Sequence, residues 1–124
     1  MKTNEILNLD CTVEQNKKKL NRFLYNIKPI AKQMGEDKTK QVPLEVLENV
    51  LHGICMKYDY KHQGIEGYYE KKEGFVFYTV SLIKKRSTTD WIGNAYGKTM
   101  WELFAKMIIK IYADIMQERN KNNE

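Results

Sequence analysis

The tightest constraint on this chain lies in residues 74–115. There a run of alternating side chains, a basic turn and a second strand-like segment lead through Gly97-Lys98-Thr99 into one long helix with an apolar stripe. A switch from strand to helical periodicity within one stretch predicts strands followed by a helix that packs on them. Residues 75–83 read as a long strand, with Val76, Tyr78, Val80 and Leu82 on one face and Phe75, Phe77, Thr79, Ser81 and Ile83 on the other. Both faces are partly apolar, which a sheet covered on one side does not need. Either the N-terminal helix or a second copy of the chain is therefore expected to cover the Phe75/Phe77 face, so a homodimer is one expected assembly.

Upstream of this strand the helical period gives way at Ile65, and Tyr68 and Tyr69 lead into the polar turn Lys71-Lys72-Glu73-Gly74, the pattern of a hairpin. Downstream, residues 84–90 form a basic connection that contains Lys84, Lys85 and Arg86. A third strand is predicted over 91–96, with Gly93 marking a bulge or a close approach. Thr99-Met100-Trp101-Glu102 has the form of a capping box, and Met100, Phe104, Met107, Ile108, Ile111 and Ile115 make the stripe of the last helix.

The N-terminal half reads as two helices. Thr12-Val13-Glu14-Gln15 also has capping-box form, and Leu20, Phe23, Leu24 and Ile27 follow at helical spacing, opposite Lys17, Lys18, Asn21 and Lys28, until Pro29 stops or kinks the run. Lys17-Lys18-Lys19 reads as a solvated face at a helix beginning. Residues 35–41 form a polar loop. Pro43 then opens a second helix whose stripe is Leu44, Leu47, Val50, Leu51, Ile54 and Tyr58. Gly53 interrupts that stripe at a cost in helix propensity, for which a close backbone contact is the expected reason. His52 and Cys55 lie one turn apart, but no second pair at ligand spacing accompanies them, so His52 is expected at the core edge and not on a metal.

At 124 residues the chain fits a single domain, 1–124, with fraying expected over 1–11 and 117–124. The predicted fold class is α+β: a three-stranded antiparallel sheet with a C-terminal helix packed on it and two N-terminal helices. Two widely spaced cysteines indicate neither a disulfide framework nor zinc, and no long apolar run suits a leader or a membrane span. A cytoplasmic protein without membrane contact or cofactor is expected. The net charge of +5 favours anionic partners, although lysine supplies nearly all of it, with Arg22, Arg86 and Arg119 the only arginines.

Little in the chain offers catalysis. Gly97-Lys98-Thr99 between strand and helix invites comparison with a phosphate-binding loop, but that loop needs glycine at position 92, where Ile92 stands, and too little chain follows for the parallel sheet. What survives is an anion site made of Lys98 and the free amides at the helix start. No serine elbow or interpretable carboxylate pair accompanies the two histidines. A non-enzymatic role is expected, with a small hydrolase as an alternative.

The order helix, three strands, helix over residues 43–116 resembles the double-stranded-RNA-binding domain, whose last strand also passes into a lysine-bearing helix start. Here only Lys98 precedes Met100 and Trp101, and Phe104 and Met107 stand where that family has small residues. The resemblance implies RNA contact through Lys84, Lys85, Arg86 and Lys98. In its size, its lysine and asparagine content and its lack of an enzymatic motif, the chain is also similar to phage accessory proteins that block host defence by binding a nuclease complex or sequestering a nucleotide signal. The expected function is that of a small basic binding protein that meets an acidic protein partner or an anionic nucleotide at Lys84, Lys85, Arg86, Lys98 and Thr99. The alternative is a nucleic-acid-binding module in which Tyr68 and Tyr69 stack on bases.

Overall fold

Between residues 100 and 115 the only charged side chains are Glu102, Lys106, Lys110 and Asp114, spaced four apart. On a helix that spacing gives one narrow polar stripe and leaves the remaining surface apolar. Such a helix is stable only when surrounded. The computed structural model, which describes residues 2–62, 65–70, 74–84 and 91–122, places it at the centre of the molecule. The helices are α1 (Thr3–Leu7), α2 (Glu14–Leu24), α3 (Lys28–Met34), α4 (Leu44–Tyr58) and α5 (Met100–Asn122). The strands are β1 (Tyr60–His62), β2 (Glu66–Glu70), β3 (Gly74–Lys84) and β4 (Trp91–Gly97). Helices α1, α2 and α4 and strands β3 and β4 all pack against α5. Trp101, Leu103, Ala105, Met107, Ile108, Ile109, Ile111 and Ile115 are buried accordingly.

The stripe is consumed internally. Lys106 Nζ lies 3.0 Å from Glu102 Oε2 and donates to the Leu9 carbonyl at 2.9 Å, with both charged side chains 7 % exposed. Tyr60 donates its hydroxyl to Asp114. Lys110 covers Gly93, where a Cβ would come within 2.5 Å of the lysine Nζ.

The expected architecture does not hold. Helix dominates the described chain, four helices and not two precede the strands, and a three-stranded sheet is not what is found: β3 pairs antiparallel with each of β1, β2 and β4. Strands β1 and β2 share one edge of β3, because β4 pairs with residues that overlap both of their registers. Strand β1 follows directly on Asp59, whose left-handed backbone (φ 59°) ends α4. The register shifts between Leu82 and Ile83, opposite Gly93, which has φ 120°.

Other local expectations change for physical reasons. Thr12 caps no helix; its amide and hydroxyl both bond Asp10 Oδ1, and α2 starts at Glu14 behind Val13. The run ends at Leu24 and not at Pro29, which sits in the first turn of α3, where its missing amide is harmless. Thr3–Leu7 form α1, with Ile6 buried, and α5 continues to Asn122. His52 is exposed, and Phe104 is only half-buried. The turn at Lys71, Lys72 and Glu73 lies outside the described residues. Among the described residues no helix is long and apolar enough to cross a membrane.

Candidate anion-binding groove

Helix α2 turns Lys17, Lys18, Asn21 and Arg22 towards the loop that joins α3 to α4. Asn21, which its spacing places opposite the apolar stripe, is buried at 6 % exposure. Its amide nitrogen donates to the Lys40 carbonyl at 3.0 Å, and its Oδ1 accepts the Val42 amide at 2.9 Å. Tyr25 donates its hydroxyl to the same Lys40 carbonyl at 2.6 Å. Burial, and then the charge of Asp37, holds the Tyr25 phenol above its ordinary value, so it remains a donor. Trp101 Nε1 donates to the Val42 carbonyl at 2.7 Å, which fixes the end of the loop to α5. The loop is thus fastened by five hydrogen bonds from three side chains, the fifth from the Asn21 amide nitrogen to the Lys38 carbonyl at 3.5 Å.

Between α2 and this loop lies a groove of about 420 Å³ lined by Glu14, Lys17, Lys18, Asn21, Arg22, Lys38, Thr39 and Gln41. Four cations face one carboxylate among the described lining residues. Lys17 is held in place by the Trp101 ring, whose centroid lies 5.6 Å from its Nζ. Among the described residues, Lys18, Arg22 and Lys38 have no carboxylate within ion-pair distance. Thr39 adds its own ordered turn, donating its hydroxyl and amide to Asp37 Oδ1. Positive charge so concentrated on a fixed wall raises the local concentration of anions, and the guanidinium of Arg22 supplies planar, bidentate recognition of phosphate or carboxylate.

The residues singled out by sequence fall elsewhere. Lys84 ends β3 in register with Tyr60, while Lys85 and Arg86 lie outside the described residues. Tyr68 and Tyr69 stand on β2, paired with Phe77 and Phe75. Thr99 accepts the Glu102 amide at 3.1 Å, and Glu102 Oε1 in turn accepts the Lys98 amide at 3.5 Å. The chain's own carboxylate therefore stands at the start of α5, and Lys98 Nζ lies 3.8 Å from Asp10. The Thr12 bonds, side chain before backbone, hold Asp10 below the usual carboxylate range. Gly97 has a packing reason: a Cβ there would lie 2.5 Å from the Leu103 amide nitrogen and 2.8 Å from its Cα.

Sequence reasoning saw Lys17 and Lys18 but missed the groove. Their partner Lys38 belongs to a loop that the buried Asn21, together with Tyr25 just past the end of α2, brings back onto that helix. No cluster of three or more metal-ligating side chains occurs among the described residues. No family model, no curated protein and no solved structure matches the chain.

Proposed function

We propose that this chain is a non-enzymatic binding protein that holds a phosphate-bearing anion of nucleotide size in the groove between α2 and the 38–41 loop. The observation that carries the reading is the meeting of Lys17, Lys18, Arg22 and Lys38 around about 420 Å³ on a hydrogen-bonded frame. That volume lies within the range of small-molecule sites. Every lining residue carries a polar or charged group, which suits a phosphate group. Nothing there resembles a nucleophile beside a base, so capture and not turnover is the activity it supports.

The experiment is calorimetric titration with ATP, with cyclic di-AMP and with a single-stranded RNA oligonucleotide, comparing wild type with Arg22→Ala/Lys38→Ala. At least one nucleotide should bind, and the double variant should bind it at least about tenfold more weakly, a loss of about 1.4 kcal/mol. Trp101 offers an independent readout, since an anion that draws Lys17 off the ring should change its fluorescence; Trp91→Phe removes the other source. Binding that ignores the double substitution, or absence of binding by all three probes, overturns the assignment. RNA binding stronger than nucleotide binding, with steep loss on adding salt, would favour the nucleic-acid reading instead.

A further inference from the structure

Gly53 lies in the interior of α4, on an exposed part of the helix, where glycine is the least favourable residue short of proline. A close contact within the chain would explain it. Among the described residues there is none, because a Cβ built at Gly53 meets nothing within 4 Å. Gly53 instead lies in the wall of a second groove, of about 450 Å³, lined by residues of α3, α4 and α5. Its character differs from that of the basic groove. Ile54, Tyr58 and Tyr112 contribute apolar and aromatic lining, Lys28 and Lys57 contribute charge, and no carboxylate occurs among the described lining residues. Lys57 Nζ is 5.2 Å from the centroid of the Tyr58 ring, so a cation already stands beside the aromatic wall.

We infer that this groove binds a planar aromatic anion, one or two rings bearing a single acidic group, with the ring against the backbone at Gly53. Aromatic faces prefer offset or edge-on partners, and Tyr58 and Tyr112 place two rings in the lining. Lys28 and Lys57, both in the lining, supply the charge that neutralises the acid. Glycine lets the ring approach the helix backbone more closely by the depth of a methyl group, an advantage that exists only when something lies there. The inference does not rest on the anion-binding groove of α2.

The test uses 2-naphthoate, with uncharged 2-naphthamide as the comparison, titrated by calorimetry into the full chain. Wild type should bind naphthoate saturably and in preference to the amide. Gly53→Ala should raise the melting temperature by roughly 3–5 °C, because helix propensity improves and nothing clashes, and yet bind naphthoate at least about tenfold more weakly. Lys28→Gln/Lys57→Gln should abolish the preference for acid over amide. Arg22→Ala/Lys38→Ala should leave naphthoate affinity unchanged, which separates this result from the fate of the other groove. No saturable binding to wild type, equal affinity in Gly53→Ala, or a Gly53→Ala protein that melts lower than wild type would each overturn the inference; the last would show that the glycine serves the fold.

Discussion

Replacing Lys106 by methionine tests whether the Glu102–Lys106 pair is an interior feature or a surface one. An exposed pair four residues apart on a helix contributes about 0.3–0.5 kcal/mol, and its loss is nearly silent. Here both side chains are 7 % exposed at 3.0 Å, and the ammonium also satisfies the Leu9 carbonyl. Methionine keeps most of the aliphatic stem, so the cavity contribution is small. What remains is a buried carboxylate without its cation, which costs about 3–5 kcal/mol, and an orphaned carbonyl, which adds about 1 kcal/mol. The sum of about 4–6 kcal/mol is comparable to the whole stability of many domains. At roughly 3–5 °C per kcal/mol for a chain of this length, the melting temperature should fall by roughly 12–30 °C.

Urea unfolding followed by circular dichroism measures the loss, and a second substitution identifies its cause. Glu102→Gln in the Lys106→Met background removes the uncompensated charge and keeps an acceptor for the Lys98 amide. The double variant should recover part of the loss, with a coupling energy of about 1–3 kcal/mol between the two sites. A Lys106→Met protein that loses under about 1 kcal/mol refutes the burial argument. Strict additivity of the two substitutions refutes the pairing.

Gly97→Ala should cost about 2–3 kcal/mol, because the new methyl meets the Leu103 backbone at 2.5 Å and a helix backbone cannot step aside; an unchanged thermal melt would contradict the close approach. The Cys11 thiol, pushed up to about 11 by burial and then by the Glu102 carboxylate, should alkylate with iodoacetamide at pH 8 at least about a hundredfold slower than a free thiol. Its rate should climb about tenfold per pH unit until the thiolate dominates, and peptide mass spectrometry that finds Cys11 labelled at the free-thiol rate would contradict it. Asp10 and Asp37 are held below the ordinary aspartate range by the hydroxyls of Thr12 and Thr39 and then by their amides. Each depressed carboxylate contributes stability that is present above about pH 4 and fades as pH falls through the lowered value. Thr12→Val should move the Asp10 midpoint up in an NMR titration and leave Asp37 in place; an unmoved Asp10 would contradict the cause.

What could be read from sequence and what could not divide along the range of the interactions. The apolar content of α5 was legible, and so was the helix, since both are local. Glu102 and Lys106 were not legible as interior residues: four apart on a helix they read as an exposed pair, and what buries them includes the Leu9 segment, 97 residues away from Lys106. Asn21 failed in the same way, because its partners at positions 38 to 42 arrive through a loop that a helical wheel does not contain. Thr12 is a different case. The capping-box pattern was present, but Asp10 two residues before it competes for the same hydroxyl and amide, and the same spacing recurs at Asp37 and Thr39 with the same outcome. That signal was available in the sequence, and a rule that looks only forward from a threonine misses it. The sequence points to an anion site at the start of α5, where a lysine and free amides coincide. Glu102 and Asp10 supply carboxylates at that place, whereas Lys18, Arg22 and Lys38 meet no carboxylate within ion-pair distance among the described residues. A run of lysines becomes a site only where the fold withholds their counter-charges, and that depends on which acidic side chains the long-range contacts carry elsewhere.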